Sequence, residues 1–433
     1  MFELNVKPAR RFLKGDLETP QLLPVMVRVG GWNIAGEESP LPVSLAVVID
    51  TSLSMGETVV GGGRKIDKVV EALDTLAGHP ALHPGDELIL VRFDRDASTL
   101  YRGIAGPKTA ASVAEAVRGM AENLGSSTQM TQGLRQALEA LRSARHAQQK
   151  LLVLTDGEAH DAPEVHGAIL PELRRRQLAL IGYGVGDRYN EDLLLALADG
   201  SAGDYYHLER MDDFAAGLAQ QLIAAKRETG RNLRMRLEPA PGNCVRSIHR
   251  VIPTLAEFPI ADGATDLALG HLRDDRDTVF LLGVHTAPRP TGEFRVVTLA
   301  LQCTLAGGET WRDEALVRVR YTDDAASIKT VEPEVFDYLN QRHLFELLGK
   351  ARAARTPAEA TAFLERANQV AATVGNPLAG GTIEAARREL QREGRIHGET
   401  VKRLLSAART MTRLSRFTPR RGVAGRTRSD LGT

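Results

Sequence analysis

Three short oxygen-bearing side chains, Asp50, Ser52 and Ser54, follow directly on an apolar run from Val43 to Ile49. Alternating with Thr51 and Leu53, they can turn to one side of a single loop, and oxygen donors gathered in this way suit a hard cation. Magnesium takes oxygen ligands in a tight octahedron and keeps several of its waters, so hydroxyls with one or two carboxylates supply enough protein. The pentapeptide alone serves equally well to cap a following helix, because Ser and Asp are frequent at turns and N-caps. Two later stretches shift the balance. Gly125-Ser126-Ser127-Thr128 precedes a helical pattern at Leu134, Ala137, Leu138 and Leu141, and Leu151 to Leu154 is a second apolar run, ending in Thr155-Asp156-Gly157. In an open α/β sheet ligands sit beyond the carboxyl ends of the strands, where three such loops can converge.

These residues resemble the metal-ion-dependent adhesion site of the von Willebrand factor type A (VWA) family. Asp50, Ser52 and Ser54 match its first motif, Thr128 the threonine of its second loop and Asp156 the aspartate of its third, in the same order and with similar spacing. The resemblance implies that Ser52, Ser54 and Thr128 bind the metal directly while Asp50 and Asp156 hold it mostly through its waters. It implies Mg2+ as cofactor, with Mn2+ or Ca2+ as alternatives, and a protein partner that completes the coordination with an Asp or Glu. Leu53 stands where the family usually has glycine, which bears on loop shape and not on ligand identity. A partner-binding rim is expected at Met55, Gln129, Glu158 and His160.

The elements that must position these loops follow from the hydrophobic pattern. Residues 41–226 alternate strand-like and helix-like stretches, as a doubly wound, mostly parallel, Rossmann-like α/β sheet requires. The valine-rich run Val43 to Ile49 suits a strand buried on both faces. Arg92 to Asp96 ends another strand at the same sheet edge, where it can form rim or salt-bridge contacts or support the ligands from behind. From Arg231 the period changes to two, and residues 231–325 read as an antiparallel β-sandwich of roughly 95 residues. Residues 1–40 carry the alternating run Leu22 to Val29, which has no neighbour to pair with and must reach a distant strand, completing that sandwich. Bacterial proteins similar to this one and, more distantly, the inter-alpha-trypsin inhibitor heavy chains carry a sandwich beside the A domain. The resemblance therefore implies an α/β domain inserted in, or next to, the sandwich. Residues 331–412 return to helical spacing and suggest a small bundle or hairpin. The last stretch, 413–433, is arginine-rich and almost without apolar residues, so it is expected to be a disordered basic tail open to docking or modification at Thr418, Thr427 or Ser429.

Composition narrows the function. Lysine plus arginine equals aspartate plus glutamate at 55 each, so no global field favours nucleic acid or an acidic membrane. No run is long enough to span a bilayer. Cys244 and Cys303 are the whole cysteine complement, and the start of the chain lacks a signal-peptide core, which together suggest a cytoplasmic protein. Gly61-Gly62-Gly63 is followed by no phosphate-binding pattern. The histidines are scattered and none sits in a nucleophile motif, and no hydrolase or transferase motif emerges. The expected function is a non-enzymatic, metal-dependent protein–protein interaction module. The alternative is an accessory subunit of an AAA+ ATPase assembly, as in related proteins where an A domain partners the motor. Behind both stands a metal-dependent hydrolase with Glu158 or His160 as base. Oligomeric state is not legible.

Overall fold

The computed structural model describes residues 2–31, 41–59, 62–186, 188–208, 210–258, 260 and 266–409. The basic tail over 413–433, Gly61 and residues 32–40 lie outside that set. Strands β1 (Phe2–Pro8), β2 (Phe12–Lys14) and β3 (Gln21–Gly31) open the chain. An α/β region follows: β4 (Ser44–Asp50), α1 (Lys65–Ala77), β5 (Glu87–Phe93), β6 (Ala97–Ile104), α2 (Thr109–Val117), α3 (Met130–Arg142) and β7 (Gln149–Thr155). Next, α4 (Ala162–Glu164) runs through a π turn into α5 (Leu170–Arg176), then come β8 (Leu180–Val185), α6 (Glu191–Gly200), β9 (Asp204–Leu208) and α7 (Asp213–Lys226).

These strands form one six-stranded sheet in the order β6-β5-β4-β7-β8-β9, parallel except for the β5–β6 edge hairpin. All seven residues of β4 are buried, as its valine-rich run requires. Leu45, Val47 and Ile49 face one helix layer with Ile66, Val69 and Leu73 of α1 and Phe214 and Leu218 of α7. Ala46 and Val48 face the other, with Leu134 and Leu138 of α3 and Leu193 and Leu197 of α6. A strand clothed on both sides cannot shift without exposing one core or the other, so the loop after Asp50 starts from a rigid point.

After α7 come β10 (Glu228–Pro239), β11 (Cys244–Ile252), β12 (Ala256–Phe258), β13 (Asp266–Arg273), β14 (Thr278–Thr286), β15 (Gly292–Leu305) and β16 (Thr310–Thr322). They form two five-stranded sheets, β1-β3-β14-β11-β12 and β13-β10-β15-β16-β2. The alternating run Leu22 to Val29 finds its partner in β14, with Val27 opposite Phe280 and Val25 opposite Leu282. Leu23, Val25, Val27 and Val29 point between the sheets against Leu233, Met235 and Leu299. The α/β region is thus inserted between strands of a sandwich that is antiparallel except where β2 runs parallel to β16, as the fold expectation has it in outline.

A short α8 (Ala325–Ile328) leads to α9 (Pro333–Ala353), α10 (Pro357–Val374), α11 (Pro377–Glu393) and α12 (Gly398–Arg409). Local signals mark their ends. Prolines open α9, α10 and α11, the side chains of Thr356 and Asn376 cap α10 and α11, and Gly375 and Gly394 close them in left-handed backbone. Leu344, Leu348, Leu364, Ile383 and Leu405 share one core. The outer face of the first sandwich sheet receives α9, where Val335 and Tyr338 pack on Met26 and Leu281.

Candidate metal centre

Where β4 ends, Asp50 is buried, and both of its oxygens are occupied. Oδ1 accepts the Ser52 backbone N–H at 2.9 Å, and Oδ2 accepts the Thr155 hydroxyl at 2.6 Å. Burial pushes this carboxyl up to about 6, against the lowering effect of the two hydrogen bonds and with a smaller push from Asp156. The chain then makes a single 3-10 turn from Leu53 to Gly56. The second loop is pinned to this turn: Leu53 N–H donates to the Gly125 carbonyl at 2.7 Å, and Gly125 N–H to the Thr51 carbonyl at 2.9 Å. A side chain at Gly125 would collide with the Asp94 carboxylate. Asp94 in turn accepts from Arg92 at 2.9 Å, while its carbonyl receives the Gln129 N–H at 2.7 Å. The Arg92 to Asp96 stretch therefore buttresses the second loop from behind.

Thr128 is fixed from the third loop. His160 N–H donates to the Thr128 carbonyl at 3.0 Å, and the His160 Nδ1 lies 3.1 Å from the Ser127 hydroxyl and 3.3 Å from the Thr128 nitrogen. Asp161 accepts the N–H groups of Met130 and Thr131 at 3.0 and 2.7 Å, satisfying the first turn of α3 from another loop.

The three loops then meet. The Ser54 hydroxyl donates to Asp156 Oδ1 at 2.6 Å, and the Ser52 and Ser54 oxygens are 3.1 Å apart. A Cβ added to Gly157 would stand 3.3 Å from the Thr128 hydroxyl and 3.6 Å from that of Ser54, so the absent side chain leaves a cradle ringed by hydroxyls. This donor set fits a hard divalent cation. With the Ser54 proton committed to a carboxylate, its lone pairs remain for a metal, and every donor is oxygen. One group in the cluster escaped the sequence reading. Lys65, the first residue of α1, places its Nζ 2.6 Å from Asp156 Oδ2 and 2.9 Å from Glu57 Oε2. Burial opposes its charge, but the hydrogen bonds to Asp156 and Glu57 outweigh that and raise its pKa. A signal for it was present, since a cation at a helix N-terminus opposes the helix dipole and calls for a carboxylate nearby.

The sequence profile described as the von Willebrand factor type A domain matches residues 44–224. Residues 44–224 form a von Willebrand factor type A domain. The whole chain is similar in fold to the von Willebrand factor type A protein from Catenulispora acidiphila, with a TM-score of 0.79 at 18% identity over 95% of this chain and 97% of that one. It is also similar to the ArnB paralog VWA2 from Sulfolobus acidocaldarius, with a TM-score of 0.61 at 16% identity over 94% and 98% of the two chains. An uncharacterized protein of Synechocystis sp. is 25% identical over 256 residues, a match that spans 57% of this chain and 57% of that protein's length.

Four further residues were expected on the rim of the type A domain's site. Gln129, Glu158 and His160 lie on or near the surface beside it, but Met55 does not. Its side chain is fully buried and packs into the core under α1, because the 3-10 turn points it inward from the loop. Leu53 instead is turned outward, 62% exposed. Above the hydroxyls opens a cleft of about 960 Å3, lined by Ser52, Ser54, Thr128 and Asp156 on one side. On the other it is lined by Arg352 of α9 and by Gly398, Val401 and Lys402 of α12. Lys402 donates to the Tyr189 carbonyl at 3.0 Å, and Arg352 pairs with both oxygens of Asp192 at 2.9 and 2.8 Å. The C-terminal helices thus supply one wall of the cleft, a contribution that no local pattern in the sequence announces.

Proposed function

We propose that the protein is a non-enzymatic, metal-dependent protein–protein interaction module, and that Asp50, Ser52, Ser54, Thr128 and Asp156 form a metal-ion-dependent adhesion site. The observation that carries this reading is the convergence of the Ser54 and Thr128 hydroxyls around Gly157, with Asp156 bonded to Ser54. A bound Mg2+ would supply a Lewis-acidic position to which an acidic side chain of the partner coordinates, and Mn2+ or Ca2+ would serve the same way. Ser52, Ser54 and Thr128 are the direct ligands and are neutral, so they compensate little of a divalent charge and leave it to attract that acid. Asp50 is held by Thr155 and the Ser52 N–H to orient water from beneath, and Asp156 is held by Ser54. Glu158, His160 and Gln129 stand at the rim, where a partner's flanking residues would pass.

Cys244 and Cys303 form no disulfide, and burial raises the Cys303 thiol to about 12, which makes it a packing residue. Among the described residues no helix is long and apolar enough to cross a membrane. The two free thiols support placing the module in the cytoplasm. The test is capture of partners from the source cell's lysate in magnesium, in EDTA and with Asp50→Ala, followed by mass spectrometry. A partner retained only by the wild type with metal is the expected result. Equal retention under all three conditions would move the interface away from this site.

A further inference from the structure

We propose that Lys65 makes cation binding at this site conditional on the acidic ligand, so that metal and carboxylate are taken up together. The inference rests on the metal-dependent reading above and assigns its regulation to a residue outside the ligand set. Lys65 Nζ lies 2.6 Å from Asp156 Oδ2, and its side chain is 12% exposed beside a carboxylate that is wholly buried. Its other contacts are Glu57 Oε2 at 2.9 Å and the Ser54 carbonyl at 3.4 Å. Glu57 also pairs with Arg188, so the Glu57 and Arg188 charges offset each other in the count at the centre.

The charges at the centre can then be counted. Asp50 and Asp156 contribute two negative charges and Lys65 one positive, which leaves one negative. A divalent cation overshoots this to one positive, and a single carboxylate restores neutrality. With Lys65 replaced by a neutral residue the two aspartates balance the formal charge of the cation, and less excess charge remains to recruit the acid. In a partly buried site, where the effective dielectric is far below that of water, one unit charge at contact range shifts a binding constant by roughly tenfold or more. The lysine therefore weakens the cation taken alone and strengthens the carboxylate taken with it. Its placement at the start of α1, where the helix dipole disfavours a cation, is maintained by the Asp156 and Glu57 contacts that this role requires.

The experiment is calorimetric titration of the full chain with Mn2+, with and without acetate as the carboxylate probe, for wild type, K65Q, K65R and D50A. Wild type is expected to bind Mn2+ weakly and to gain affinity with acetate. K65Q should bind Mn2+ alone about tenfold more tightly and gain less from acetate, while K65R, which keeps the charge, should track wild type. If K65Q binds no more tightly than wild type, or K65R behaves as K65Q does, while D50A still abolishes binding, the role of Lys65 is overturned and the metal reading stands. Mn2+ binding that D50A leaves unchanged would overturn both.

Discussion

The Thr155 hydroxyl donates to Asp50 Oδ2 at 2.6 Å, joining the last residue of β7 to the last residue of β4 across the centre of the parallel sheet. The other oxygen, Oδ1, accepts the Ser52 backbone N–H at 2.9 Å. Thr155→Val keeps the shape and deletes the donor. Apparent Mg2+ affinity, followed by thermal shift over a metal titration, is expected to fall about 10–100-fold, the range for partners that orient ligands. Thr155→Ser, which keeps the hydroxyl, should stay near wild type. Equal behaviour of the two variants would mean that this bond does not orient the site.

Gly157 tests the cradle from the opposite side. A methyl group there would press on the Thr128 hydroxyl at 3.3 Å and touch that of Ser54 at 3.6 Å without meeting any backbone atom. Gly157→Ala is therefore expected to leave metal-free stability within about 1 kcal/mol of wild type. Mg2+ affinity should fall at least about tenfold, because ligand placement is sensitive to displacements well under an ångström. Unaltered metal affinity in a folded Gly157→Ala variant would place the cation elsewhere.

What the sequence made legible, and what it did not, divides along physical lines. β4 could be read from Val43 to Ile49 because burial on both faces leaves a continuous apolar run, and the C-terminal helices because apolar residues recur at helical spacing through 331–412. β6 passed unnoticed, since an edge strand such as Ala97–Ile104 is only partly covered and carries no clean alternation. The split sandwich was readable because the run Leu22 to Val29 lacked a local partner and because the family resemblance implied an inserted α/β domain. Asp50, Ser52, Ser54, Thr128 and Asp156 stood out by residue type and spacing, whereas Lys65 and Asp161 act across loops on groups far away in sequence. Met55 misled because alternation along a loop ends where a 3-10 turn begins, and that turn sends its side chain to the core.

Lys402 tests how far the C-terminal helices hold the cleft in shape. Its ammonium donates to the Tyr189 carbonyl at 3.0 Å and lies 3.6 Å from the centre of the Tyr189 ring, with the residue buried. Lys402→Ala removes a charge-assisted hydrogen bond and a cation–π contact, at an expected cost of about 1–3 kcal/mol in denaturant unfolding. Hydrogen exchange should quicken at Arg188 to Asn190, the loop that this contact anchors ahead of α6. Exchange confined to α12 with that loop unchanged would show that the two sides of the cleft are not coupled.

Acid should destabilise the fold through His249, which lies in β11 with 8% exposure. Burial, with a further push from the Arg342 charge, lowers its pKa from 6.5 to about 4, so the imidazole is neutral in the folded protein. Between pH 6.5 and 4 the unfolded chain binds a proton that the folded one does not. Stability is therefore complete above about 6.5 and is lost progressively as the pH falls towards 4. The difference corresponds to at most about 3 kcal/mol for this residue, and His207 and His271, also lowered to about 4 by burial, act in the same direction. Urea unfolding at pH 7 and pH 5 should show the loss in wild type and a shallower dependence in His249→Gln, which cannot take up the proton. An identical pH slope in the two proteins would mean that His249 titrates normally in the fold.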